Sequence, residues 1–120
     1  MDAYFTDQVH QDRFASLIAA DHTRWGDTER ISLFYLISGN GDLYSKRRYI
    51  YDFEDHAIKH CIGTGEVDFS SGMAALLRLG FNLYNGYKDN YTAPLDVFRN
   101  LDHDNRFLAY GAIRLRFGDK

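Results

Sequence analysis

The stretch from Asp27 to Gly39 constrains this chain more than any other. Asp27 is placed to cap a helix, Glu29 suits the positive end of its first turn, and Gly39 supplies a stop. Between them Ile31, Leu33, Phe34, Leu36 and Ile37 cover far more than the single stripe a surface helix turns toward a core. A helix that is apolar over most of its circumference has to be surrounded. The rest of the chain is therefore read as elements that wrap it.

Those elements follow from the same punctuation. A first helix starts after Thr6, whose hydroxyl can cap, with Asp7 in the first turn and Val9, Phe14, Leu17 and Ile18 near helical spacing; it ends between Asp21 and Arg24. From Asn40 a short helix carries Leu43 and Tyr44 and finishes in Lys46-Arg47-Arg48, where positive charge suits a C-terminus. Ser70 or Ser71 caps a buried helix carrying Met73, Leu76, Leu77, Phe81 and Tyr84, closed by Asn85-Gly86. Thr92 caps a short helix with Pro94 in its first turn, and Asp102 caps the last, on which Leu108, Ala112, Ile113 and Leu115 pack. In the centre, Tyr49 to Phe53 is rich in β formers and Glu66 to Phe69 alternates, which leaves room for a small two-stranded ribbon, with one or two helical turns over Asp55 to Ile62. The expected fold class is mainly α, a compact single domain over residues 1–120 with about five or six helices. Leu33, Leu77, Phe81 and Ile113 are expected in its core, and Gly80 and Gly111, inside predicted helices, are read as close crossings.

A chain of 120 residues buries roughly two-thirds of its unfolded surface, so a core forms without metal or disulfide. Its 45% hydrophobic residues are globular rather than disordered composition. The single cysteine, Cys61, and a start at Met1-Asp2-Ala3 with no basic and apolar leader lead to an expected cytoplasmic location. The longest apolar run, Leu33 to Ile37, is far short of the ~20 residues of a membrane span. A net charge of −3 lacks the basic field that accompanies nucleic-acid binding, so nucleic acid is not the expected partner.

Asp68-Phe69-Ser70-Ser71-Gly72, then Leu83-Tyr84-Asn85-Gly86, then Leu101-Asp102 through Ala112-Ile113-Arg114, resemble a family of small uncharacterised proteins from Firmicutes and their phages. The likeness covers the last 50 residues or so, with a weaker echo from Phe5 to Phe14. These are caps and core positions, so the resemblance implies a shared fold and carries over no catalytic residue. Its phage setting implies a small inhibitor or adaptor directed at a host complex such as an anti-phage defence assembly.

Each catalytic pattern lacks a required part. His56 and His60 stand i, i+4 with Cys61 adjacent, as in a metal site on a helix, but Ala57 occupies the place of the catalytic Glu and no second cysteine is present. Asp21-His22, Asp55-His56 and Asp102-His103-Asp104 set carboxylates beside histidines, yet neighbours on a helix do not face one another, and the aspartates are read as caps. Gly39-Asn40-Gly41 and Gly63-Thr64-Gly65 are not completed to a phosphate loop. What stands out is Tyr44 to Tyr51, three cations among three tyrosines. Tyr and Arg anchor protein interfaces, so Tyr44, Arg47, Arg48, Tyr49 and Tyr51 are the expected partner-binding residues. The expected function is non-enzymatic binding of a protein partner, with no cofactor and no metal. The rivals are a small metal-dependent enzyme using His56, His60 and Cys61, and a nucleic-acid accessory protein.

Overall fold

A computed structural model describes residues 4–119. In chain order the elements are α1 (Gln8–Asp21), α2 (Thr28–Gly39), α3 (Gly41–Ser45), α4 (Arg47–Ile50), β1 (Tyr51–Asp52), β2 (Ala57–Ile58), α5 (Ser71–Asn85), α6 (Pro94–Phe98) and α7 (His103–Phe117). The fold is mainly helical, with one small antiparallel sheet. None of these helices is long and apolar enough to cross a membrane.

Helix α2 is the mast of the structure. Asp27 accepts the amide N–H of Arg30 at 3.1 Å, and every residue from Ile31 to Ser38 is buried. Burial all round requires that its two serines be satisfied locally: Ser32 donates to the Glu29 carbonyl and Ser38 to the Tyr35 carbonyl. Helices α1, α5 and α7 pack on α2, with α3 at its C-terminal end. The two interior glycines are close crossings. A Cβ at Gly111 would lie 2.5 Å from the Tyr35 hydroxyl oxygen, and one at Gly80 would lie 3.0 Å from a Leu33 methyl.

Several local expectations are corrected. Asp7 rather than Thr6 caps α1, accepting from the His10 amide at 2.8 Å, because the Thr6 hydroxyl and amide both turn to the His10 ring. The single helix expected from Asn40 to Arg48 breaks at Lys46 and resumes, which brings the helices to seven among the described residues. Thr92 bonds with Asp89 instead of capping α6, which begins on Ala93 and Pro94. Strand β1 pairs with β2, Tyr51 opposite Ile58 and Asp52 opposite Ala57, and not with residues 66–69. Asp55 to Ile62 is consequently turn and strand, not helix. The Asp52 carboxylate starts that turn by accepting the amides of Glu54 and Asp55, a local bond that competes with helix.

Candidate functional site

The segment from Tyr44 to Tyr51 is pinned by two inward side chains, Leu43 and Ile50, both fully buried. Asn40 caps α3 by accepting the Leu43 amide at 3.0 Å. Fixing those anchors turns the intervening polar residues outward. The guanidinium of Arg47 lies over the Tyr44 ring at 4.3 Å and donates to the Tyr44 carbonyl at 3.0 Å, and Arg13 of α1 lies over the same ring at 4.9 Å. Arg48 and Tyr49 are exposed, with half of the Tyr49 surface open. Lys46 is drawn aside, over Phe69 and onto the Asp68 carbonyl.

Tyr51, expected with this group, is not part of the surface. It is 1% exposed, because alternation along β1 points its ring at Phe34. Tyr44, Arg47, Arg48 and Tyr49 are brought together, and Tyr51 lies behind them.

Beside the patch an open cleft of about 600 Å³ runs between α1, α4 and the hairpin. Ser16, Leu17 and Ala20 form one wall, Arg47 and Arg48 another, and Tyr51 to Glu54 with Lys59 the third. Among the described residues, Arg13, Arg47, Arg48 and Lys59 make no ion pair with a carboxylate.

Behind the cleft lies a polar network that sequence reasoning missed. Asp21, buried at the end of α1, accepts from Thr23 at 2.5 Å and from Tyr51 at 2.7 Å, and its Oδ1 lies 2.7 Å from His56 Nδ1. Arg30 donates through Nε to the Tyr51 hydroxyl oxygen at 2.8 Å, through Nη1 to Asp27 at 2.9 Å and through Nη2 to the His56 carbonyl at 2.5 Å. Burial pushes the Asp21 carboxyl up, but hydrogen bonds from Thr23, Tyr51 and His56 and the charge of Arg30 outweigh it and leave it below the ordinary value. His56 is held at φ 54°, a conformation uncommon outside glycine, with Asp21 gripping its ring and Arg30 its carbonyl. One signal in the sequence pointed here. An aspartate in the last turn of α1 opposes the helix dipole, so it needs partners from elsewhere.

The arrangement also separates His56, His60 and Cys61. His56 lies in the hairpin turn and His60 and Cys61 in irregular chain after β2 rather than on one helix face, His60 stacks on Tyr87, and burial pushes the Cys61 thiol up to about 11. Among the described residues no three His, Cys, Asp or Glu side chains converge as a ligand set. The Asp21–His56 pair could orient an imidazole for proton transfer, but its carboxylate is shared with Thr23, Tyr51 and Arg30, which makes it a tie between α1, α2 and the hairpin.

Residues 1–120 match the description "Family of unknown function (DUF6075)". The chain belongs to that family. The match spans the whole chain, the central segment included, and so extends beyond the last 50 residues or so and the Phe5 to Phe14 segment that carry the resemblance. No curated protein and no solved structure matches the chain.

Proposed function

We propose that this protein acts by docking onto a protein partner through the ridge of Tyr44, Arg47, Arg48 and Tyr49, without chemistry of its own. The observation that carries this reading is the ridge itself: stacked and exposed Arg and Tyr side chains, with no carboxylate paired to the arginines among the described residues. The Tyr44 ring, held between two guanidinium groups, loses little entropy on binding, and Tyr and Arg are the residue types enriched in interface hot spots. The finer form of the reading is a cytoplasmic inhibitor or adaptor that a phage directs at a host defence complex. It is supported by the resemblance to small proteins of Firmicutes and their phages.

The test is capture of partners from a host lysate by wild type, by Arg47→Glu with Arg48→Glu, and by Tyr49→Ala. Both variants are expected to lose the captured protein while melting like wild type, since all three positions carry little of the core. Retained capture in both would move the interface elsewhere. Loss of wild-type binding between low and moderate salt, with oligonucleotides as ligands, would favour the nucleic-acid reading instead.

A further inference from the structure

The cleft beside the ridge differs from the ridge in shape and chemistry. It is concave, and three cations, Arg47, Arg48 and Lys59, line it. Two carboxylates also stand there, Asp52 and Glu54, but neither forms an ion pair with any of the three. Asp52 is instead turned into the hairpin, where its Oδ1 accepts the amides of Glu54 and Asp55 at 2.9 and 3.0 Å. Among the described residues that leaves the Arg48 and Lys59 side chains without a protein acceptor, and Arg47 with one N–H on the Tyr44 carbonyl and the rest of its guanidinium unpaired, around a volume larger than a bare oxyanion. Leu17 and Ala20 opposite them supply an apolar wall.

From this juxtaposition we propose that the cleft is a binding site for an organic phosphomonoester, its phosphoryl oxygens taken by Arg47, Arg48 and Lys59 and its carbon portion set against Leu17 and Ala20. A doubly charged group with three acceptor oxygens matches several converging N–H donors, and guanidinium groups bind such oxygens in pairs. The apolar wall selects for an ester over inorganic phosphate. Such a group has two sources, a phosphorylated side chain on the docked partner or a free small ester. In placing the phosphoryl group on a partner, the inference rests on the docking reading; as a ligand site it stands on the cleft alone.

The experiment is titration of the full chain, at constant ionic strength, with phenyl phosphate, inorganic phosphate, phenol and a phosphotyrosine peptide, followed by backbone amide chemical shifts. Phenyl phosphate is expected to saturate, with the largest shifts at residues 17, 20, 47, 48 and 59, and to bind more tightly than inorganic phosphate or phenol. Arg48→Gln with Lys59→Gln should weaken it about tenfold or more. Both substitutions lie on exposed side chains, and an unchanged melting curve verifies the fold. A peptide that binds about tenfold tighter than phenyl phosphate assigns the group to a partner protein, and equal affinity assigns it to a free ester. No saturable response, or one unchanged in the double variant, overturns the proposal. Tyr49 does not line the cleft, so Tyr49→Ala should leave phenyl phosphate binding intact. Loss of partner capture in that variant, or its absence, therefore judges the docking reading separately.

Discussion

Asp21 shows how much of this structure hangs on single side chains. It is 4% exposed and receives two hydroxyl groups and an imidazole, with the Arg30 Nε 3.8 Å away. Its removal leaves Thr23, Tyr51 and the His56 ring without their acceptor and Arg30 with Asp27 as its one neighbouring carboxylate among the described residues. Asp21→Ala should cost about 3–5 kcal/mol, the range for breaking a buried charge pair. Tyr51→Phe keeps the ring in the core and deletes only the bridging hydroxyl, so it should cost about 1–2 kcal/mol. Urea melts of the two variants beside wild type check the order, and an Asp21→Ala loss no larger than that of Tyr51→Phe would refute it. His10 makes the second residue-scale case. Its Nδ1 accepts the Thr6 amide, so Nε2 carries the proton donated to the Tyr35 carbonyl at 3.0 Å, and the ring is neutral. Burial lowers its pKa from the ordinary 6.5, outweighing the Tyr35 hydrogen bond and the Asp7 charge that act the other way. The unfolded chain thus binds a proton before the folded one does, and the stability His10 contributes is full above pH 6.5 and lost as pH falls through the lowered value. Melting temperature measured from pH 7.5 to 5 should fall more steeply for wild type than for His10→Gln, and equal slopes would show that His10 is not the group responsible.

At the scale of elements, the packing of α7 on α2 depends on a missing methyl group. Gly111 faces the Tyr35 ring, and an added Cβ would meet three ring or hydroxyl atoms at 2.5 to 2.7 Å. Tyr35 cannot swing away, because its hydroxyl donates to the Tyr4 carbonyl and its ring packs against His10 and Phe5. Alanine is the better helix former by about 1 kcal/mol, yet Gly111→Ala should destabilise by about 1–3 kcal/mol because overpacking exceeds propensity here. A variant as stable as wild type in thermal melts would mean that the two helices can separate at little cost. The hairpin is held quite differently. With two residues in each strand it has little ladder of its own, and what fixes it is Tyr51 in the core at one end and Arg30 on the His56 carbonyl at the other.

For the molecule as a whole, the core is built in a shell around α2. Leu33, Leu77 and Phe81 are 0 to 1% exposed, and each truncation to Ala should cost about 2–5 kcal/mol. Ile113, also expected inside, is half-buried at the rim of a surface groove with Leu79 and Pro94, so Ile113→Ala should cost clearly less. Chemical denaturation of the four variants tests the ranking, and an Ile113 loss equal to the others would place α7 in a different rotation. The helices on which these residues sit were legible because caps and stops are local: Asp27, Asn40, Ser70 and Asp102 each accept an amide three residues ahead. The apolar breadth of Ile31 to Ile37 likewise announced a surrounded helix, and the absence of a side chain at Gly111 announced a crossing. The candidate ridge was readable as composition, Tyr44 to Tyr49, but the inward turn of Tyr51 was not, since it depends on which strand partner the chain finds. Asp21, Arg30, Tyr51 and His56 are separated by up to 35 residues, and only the docking of α1, α2 and the hairpin brings them within hydrogen-bond reach. Sequence alone thus determined the features set by interactions within a turn or two of chain: the long helices α1, α2, α5 and α7, the caps of α2, α5 and α7, and the central place of α2, but not the caps of α1 and α6 or the break at Lys46. Tertiary structure decided the pairing of β1 with β2, the buried polar network and the basic cleft, because each requires groups distant in sequence to meet, and local periodicity carries no record of which ones do.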